Sequence, residues 1–148
     1  MNLKRLLSVD SIILDLQGTT KAAVIREMID FLVARGRIKD REAALKAVLE
    51  REQKMSTGMQ HGIAIPHGKT DTVDKLVTAL GLKKAGVDFG SMDGQPSRIF
   101  VMTVSPVTRT GPHIQFLSEI SQVLNDPEKR ESVLQAQSAE EIVNILTV

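Results

Sequence analysis

The sequence predicts an α/β layered fold in which a mixed β-sheet is flanked by helices on both sides. Apolar residues recur at helical spacing towards both ends of the chain. Between them lie short β-compatible segments, and one of them, 98–105, is nearly continuously apolar, as expected of a strand covered on both faces. A hairpin-like turn and helical crossovers both occur, so we expect antiparallel and parallel strand pairs in one sheet.

Length and composition predict a single domain over residues 1–148. The chain has no internal repeat, low-complexity tract or Gly/Ser linker. Its 42% hydrophobic and 25% charged residues are typical of a soluble globular protein. A net charge of +1 supplies no large field for DNA or a membrane, and 3% aromatic residues argue against a base-stacking surface. We therefore expect no nucleic-acid partner.

The absence of cysteine excludes disulfides, thiolate catalysis and cysteine metal sites, and it suits a reducing compartment. No apolar run approaches the length of a membrane helix. The first ten residues lack the apolar stretch of a secretory signal. These features predict a cytoplasmic protein without direct membrane insertion.

The first third of the chain predicts an extended segment followed by two helices. Residues 12–16 form a short apolar run, and Thr19 or Thr20 can cap the helix that follows. Gly36 fits just past the end of that helix, and Asp40 can cap the second one. The predicted inner faces consist of Val24, Ile25, Met28, Ile29, Leu32 and Val33 in the first helix, and Ala44, Leu45, Val48 and Leu49 in the second.

The middle of the chain predicts three strands, over 63–65, 77–82 and 98–105. Residues 87–89 can pair in a hairpin through a turn at 92–94. The last third is helical again.

Pro112 suits a first helical position, a new helix begins at Asp126-Pro127, and Ser138 with Glu141 matches a capping box. The predicted inner face of the helix after Pro112 consists of Ile114, Leu117, Ile120, Ser121 and Leu124.

His67 is the first candidate for chemistry. Pro66 fixes its own φ and keeps Ile65 extended, while Gly68 leaves room for the backbone to approach a ligand closely. A histidine that attacks phosphorus needs one open, unprotonated nitrogen, with the other nitrogen held by a hydrogen bond. The alternative is a loop histidine that merely ends a strand.

His113 follows Thr110-Gly111-Pro112, in the first turn of a predicted helix. Free N–H groups and positive dipole ends collect there, which makes such a turn a cradle for phosphate. On the residues alone, a water-exposed helix-start residue is the favoured interpretation. His61 is expected to be a surface loop residue without a role.

Two further polar features can contact phosphate. The guanidinium of Arg51 can form a two-point contact, or it can simply interact with the end of its helix. The hydroxyls of 56–58, Thr57 included, can bind phosphate, although such a run is more often only a turn.

Other chemistries fit poorly. The histidine spacings of six and forty-six residues match no familiar zinc pattern, so we expect no metal. The chain contains neither a nucleophile elbow nor a Walker loop.

At these residues the sequence resembles a known family. Arg51-Glu52, Ser56-Thr57-Gly58 and the run Gly62-Ile-Ala-Ile-Pro-His-Gly-Lys69 are similar to the signature of enzyme IIA domains of the bacterial phosphotransferase system. The class is the fructose/mannitol one, which includes stand-alone nitrogen-regulatory members. The strand 98–105 followed by Pro106 and His113, and the segments 134–136 and 138–142, are similar too.

The resemblance implies a function for two of the three histidines. It implies that His67 takes a phosphoryl group from the histidine phosphocarrier protein as a tele-phosphohistidine and hands it to an enzyme IIB. His113 would lie beside it and support the phosphoryl group, with Arg51 nearby, and no cofactor would be needed. The alternative is a regulatory phosphoprotein that controls partner proteins. The chain carries no enzyme IIB or membrane segment, which favours a separate or regulatory protein as an expectation.

Overall fold

The computed structural model describes residues 3–147, which form a mixed sheet between two sets of helices. The helices are α1 (Leu3–Leu6), α2 (Lys21–Ala34), α3 (Arg41–Lys54), α4 (Gly111–Leu124), α5 (Pro127–Gln135) and α6 (Ala139–Thr147), with a 3₁₀ turn at Val9–Ser11. The strands are β1 (Ile12–Ile13), β2 (Ile63–Ala64), β3 (His67–Lys69), β4 (Val77–Val87) and β5 (Ser97–Ser105). Within residues 3–147, no helix combines the length and apolar character needed to cross a bilayer.

The sheet has the order β1-β4-β5-β2, and β3 pairs with β5 on the same side as β2. The long strands β4 and β5 form an antiparallel hairpin. The short strands β1, β2 and β3 each run parallel to the long strand beside them. This combination confirms the predicted mixed sheet.

Alternate residues of β5 enter two separate apolar clusters. Phe100, Met102 and Val104 join the cluster built with α2 and α3. Ile99 and Val101 join the cluster built with α4, α5 and α6. Because successive residues of a strand point to opposite faces, the two clusters lie on opposite sides of the sheet. The predicted placement of helices on both sides is therefore confirmed.

The predicted caps of α2 and α3 are present. Thr20 Oγ1 accepts a hydrogen bond from the N–H of Ala23 at 3.2 Å, and Asp40 accepts one from Ala43 at 3.1 Å. Before α6, Ser138 Oγ accepts from the N–H of Glu141 at 3.2 Å. The carboxylate of Glu141 instead accepts from the N–H of Gln137, so only half of the predicted capping box forms.

Two boundaries differ from the prediction. Strand β4 continues to Val87, which pairs with Ser97 across a register shift, so the hairpin forms without Asp88 and Phe89 as strand residues. The predicted strand ends at 82, where the apolar run ends. The polar residues beyond it are half-buried or exposed.

The inner face of α4 also differs. Ile114 is 63% exposed, so its predicted inward position is wrong. The buried residues of α4 are His113, Phe116, Ile120 and Leu124. A pattern that counts only apolar residues assigns the first inward position to Ile114, because it overlooks a buried imidazole.

Candidate active site

Strand pairing decides which way the residues of β3 face. His67 is the register partner of Thr103, and Gly68 is the partner of Val104. Register partners in neighbouring strands lie on the same face of a sheet. Val104 belongs to the cluster of α2 and α3, so His67 lies on the opposite face, towards α4.

Gly68 is required by packing against α3. A Cβ atom at Gly68 would lie 2.7 Å from the backbone nitrogen of Val48 and 2.8 Å from the carbonyl carbon of Ala47. The sequence analysis assigned the missing side chain to close approach of a ligand. The structure instead assigns it to close approach of a helix, which presses β3 onto α3.

One ring nitrogen of His67 is already engaged. Nδ1 lies 2.8 Å from the carbonyl oxygen of Ile65, and a carbonyl can only accept, so Nδ1 carries the proton. In the neutral ring, Nε2 then holds an open lone pair. Burial lowers the pKa of His67, and the charges of Arg51 and Lys69 lower it further, against the opposing effects of the bond to Ile65 and of the negative charge of Glu52. The ring is therefore neutral at pH 7.

His113 lies beside His67, with ring centroids 5.1 Å apart and planes tilted by 39°. It is only 8% exposed, so the interpretation as a water-exposed helix-start residue is wrong. Its Nδ1 lies 2.9 Å from Thr103 Oγ1. Burial, followed by the charges of His67 and Lys69, lowers the pKa of His113 to about 4. This imidazole is also neutral at pH 7.

Arg51 fills one of its two predicted roles, the interaction with the end of its own helix, and its contact with phosphate stays a prediction. Its Nη1 donates to the carbonyl oxygen of Met55 at 2.8 Å, which closes the C-terminal end of α3. Its charge also acts on His67, whose pKa it lowers. The guanidinium has five N–H donors, so one bond to a carbonyl does not exhaust it.

Thr57, which was predicted to contact phosphate, is 3% exposed, and its hydroxyl meets a carboxylate of the protein itself. Its Oγ1 lies 2.5 Å from Glu52 Oε1, and its backbone N–H donates to Glu52 Oε2 at 2.8 Å. A carboxylate only accepts, so the hydroxyl proton of Thr57 points to Glu52. In this arrangement the hydroxyl proton is therefore already used and is not free to bind a phosphoryl oxygen.

Glu52 is a buried residue that was not predicted from the sequence. It is 6% exposed and lies on the inner face of α3 with Leu45 and Val48. The signal was available, because positions 45, 48 and 52 share one helix face. His61 lies outside the site, on an exposed turn with a φ of 64°. Across residues 3–147, no group of three or more His, Cys, Asp or Glu could hold a metal ion.

A cleft of about 310 Å³ lies between β2 and the far end of α4. Ile63, Ile65, Ile120 and Leu124 are among its lining residues, whereas neither His67 nor His113 is. The two imidazoles therefore do not form part of the wall of this cleft.

Comparisons with known proteins agree on the family. The sequence model described as "Phosphoenolpyruvate-dependent sugar phosphotransferase system, EIIA 2" matches residues 5–148. The chain is 39% identical over 127 residues to a "PTS system fructose-specific EIIA component" of Haloferax volcanii, covering 86% of this chain and 82% of that protein.

Two solved structures are similar to this chain over nearly its whole length. Nitrogen regulatory protein IIA-Ntr of Neisseria meningitidis has a TM-score of 0.90 at 29% identity, covering 98% of this chain and 99% of that one. Enzyme IIA mannitol of Escherichia coli, in a complex with phosphorylated enzyme IIB mannitol, has a TM-score of 0.81 at 27% identity, covering 95% and 96%. On the extent of the matched sequence and the shared fold, this chain belongs to the EIIA 2 family of the phosphoenolpyruvate-dependent sugar phosphotransferase system.

Proposed function

We propose that the chain is a cytoplasmic phosphocarrier in which Nε2 of His67 accepts a phosphoryl group from the histidine phosphocarrier protein and passes it to an enzyme IIB. The observation that carries the proposal is the bond from His67 Nδ1–H to the carbonyl of Ile65. It leaves Nε2 as the nucleophile and holds the ring in one orientation, beside a second neutral imidazole.

The transfer requires one bond to form and one to break. The lone pair of His67 Nε2 attacks phosphorus in line, while the phosphorus–nitrogen bond of the donor breaks and returns its electron pair to the donor's imidazole. His67 keeps its proton on Nδ1 throughout. The phosphorylated ring becomes cationic, and the carbonyl of Ile65 stabilises this Nδ1–H. A second in-line displacement delivers the group to enzyme IIB: a nucleophile of that protein attacks phosphorus, the bond to His67 Nε2 breaks, and its electron pair returns to Nε2.

Positioning and charge supply the catalysis in this proposal. His113 donates a hydrogen bond from Nε2 to a phosphoryl oxygen, provided that its Nδ1 accepts from Thr103. Arg51 and Lys69, whose charges both act on His67, share the negative charge of the group. No metal ion takes part in these steps.

A protein partner also fits the surroundings of the site. Ile114 directly follows His113 and is 63% exposed, and Val107, in the loop before α4, is 51% exposed. Exposed apolar residues beside a reacting group are typical of a docking surface. In the Escherichia coli neighbour, the partner in the complex is a phosphorylated enzyme IIB.

The test is phosphorylation in a reconstituted system. We expect the protein mixed with phosphoenolpyruvate, enzyme I and the phosphocarrier protein to gain one acid-labile phosphate, located on His67 by mass spectrometry. The phosphate should be absent from His67→Ala and retained in His61→Ala, which changes an exposed histidine outside the site. Phosphate on any other residue of the wild-type protein would refute the proposal.

A regulatory role is the second candidate, favoured by the TM-score of 0.90 with nitrogen regulatory protein IIA-Ntr. The phosphoryl group would then be a mark that changes the charge of the docking surface by up to about two units. Onward transfer to a cognate enzyme IIB supports the carrier role. Binding to a non-transport protein that changes with phosphorylation, without onward transfer, supports the regulatory role.

A further inference from the structure

We propose that Glu52 is a positioning residue that acts through Thr57 and Ile65 to hold His67 in the tautomer able to accept phosphate. The proposal rests on the proposed function of His67. It concerns a buried carboxylate that does not itself touch the reacting group. Its basis is a continuous series of hydrogen bonds whose donors all point the same way.

The first link joins Glu52 to the turn after α3. Glu52 is 6% exposed, and its two oxygens accept from the N–H of Thr57 at 2.8 Å, from the Thr57 hydroxyl at 2.5 Å and from Lys21 Nζ at 3.0 Å. Burying a carboxylate is costly unless it is paired and hydrogen-bonded, and three donors meet that requirement. Glu52 thereby anchors Thr57 by both its backbone and its side chain.

The second link joins Thr57 to the strand that precedes His67. The carbonyl oxygen of Thr57 accepts from the N–H of Ile65 at 3.0 Å, and Ile63 accepts from Met59 at 2.7 Å. Gly58 and Ala64 form an antiparallel bridge between the same two segments. The anchored turn therefore pairs with the free edge of β2 and fixes the peptide of Ile65.

The third link joins Ile65 to the reacting ring. The carbonyl oxygen of Ile65 accepts from His67 Nδ1 at 2.8 Å. A neutral imidazole can carry its proton on either nitrogen, and only the Nδ1–H form leaves Nε2 able to attack phosphorus. If the carbonyl of Ile65 were displaced, the proton of His67 could move to Nε2. The backbone carbonyls of Thr57 and Ile65 can only accept, so Glu52 acts on the tautomer by keeping the turn, and with it the carbonyl of Ile65, in place.

The experiment measures the tautomer directly. Long-range ¹H–¹⁵N spectra of the intact, unphosphorylated protein at pH 7.5 report whether the proton of His67 lies on Nδ1 or Nε2. We expect the wild type to show Nδ1–H, and Glu52→Gln to show a substantial fraction of Nε2–H, because glutamine offers one acceptor oxygen where the carboxylate has two. Glu42→Gln is the matched control, since Glu42 lies on the same helix with an 81% exposed side chain.

The kinetic readout separates positioning from docking. We expect kcat for phosphoryl transfer from the phosphocarrier protein to fall roughly 10–100-fold in Glu52→Gln, the range seen when groups that orient a reacting ligand are lost. KM for the phosphocarrier should stay within about twofold, because Glu52 is buried. Thr57→Val should behave like Glu52→Gln, and Thr57→Ser, which keeps the hydroxyl, should restore both readouts.

Thr57→Val decides the question if Glu52→Gln does not fold. Folded variants that keep a pure Nδ1–H tautomer and wild-type kcat would overturn the proposal, whether or not His67 is a phosphocarrier. Wild-type protein that never gains phosphate on His67 would instead overturn the proposed function, which the spectra of the unphosphorylated protein do not test.

Discussion

Thr103 Oγ1 and His113 Nδ1 are joined by a hydrogen bond of 2.9 Å, buried between β5 and the start of α4. Thr103 is also the register partner of His67, and its N–H donates to the carbonyl of Pro66 at 3.2 Å. One strand residue therefore holds the backbone before the first histidine and the ring of the second. Because Nδ1 is engaged, Nε2 is the nitrogen of His113 left to meet a ligand.

Replacing Thr103 by valine tests this arrangement. Thr103→Val keeps the shape of the side chain but removes the hydroxyl, so Nδ1 of a buried ring loses its partner. We expect phosphoryl transfer to His67 to slow by about 10-fold or more, as after loss of one oriented donor to the reacting group. Thr103→Ser should restore most of the rate in a stopped-flow or quench assay. Equal rates for both variants and the wild type would remove the hydroxyl from the mechanism.

Arg51 should affect both the pKa of His67 and the rate at which His67 accepts the phosphoryl group. Its positive charge lowers the pKa of His67, so Arg51→Gln should raise that pKa, which an NMR titration measures. The same substitution removes a cation from the site of the incoming phosphoryl group and should slow transfer. Arg41→Gln is the control, because Arg41 pairs with Asp30 on an exposed surface. A lower pKa of His67 in Arg51→Gln would contradict the geometry.

The lowered pKa of His113 makes stability depend on pH. The pKa is 6.5 in the unfolded chain and about 4 in the folded one, so the unfolded chain binds more protons between these values. The contribution of His113 to the free energy of unfolding is therefore fully present above about pH 6.5. It is lost as the pH drops towards 4, by up to about 3 kcal/mol. Urea unfolding of the wild type and His113→Gln at pH 7 and pH 4.5 measures the difference. If the free energy of unfolding fell by the same amount between pH 7 and pH 4.5 in His113→Gln as in the wild type, the pH dependence would belong to other groups.

The features that could be predicted from the sequence are those that depend on neighbouring residues in the chain. Apolar spacing is enough to place α2 and α3, and the caps Thr20 and Asp40 follow from side-chain oxygens that meet the first free N–H groups. His67 was identifiable because Pro66 and Gly68 flank it.

The predictions that differed from the structure concern residues whose surroundings are formed by distant segments of the chain. The buried ring of His113 bonds to Thr103 of β5, and the partner of the Thr57 hydroxyl is Glu52, on an otherwise apolar helix face. Helix spacing places Glu52 on the inner face of α3, but it does not show which residue Glu52 or His113 pairs with. Gly68 shows the same limit, since its neighbours Ala47 and Val48 are some twenty residues earlier in the sequence.

Gly68→Ala distinguishes a packing glycine from a ligand-binding one. The added methyl group would sit 2.7 Å from the nitrogen of Val48, and helix backbone cannot give way as a flexible side chain would. We expect a loss of about 1–3 kcal/mol in the free energy of unfolding, the usual cost of overpacking. Gly111→Ala is the matched control, because no atom outside its chain neighbours and its own helix backbone lies within 4 Å of the added methyl group, so stability should change little. Since the methyl group would enter α3 and not the face of His67, protein that remains folded at low temperature should still accept phosphate on His67. A variant with wild-type stability that no longer accepts phosphate would return Gly68 to the role of a ligand contact.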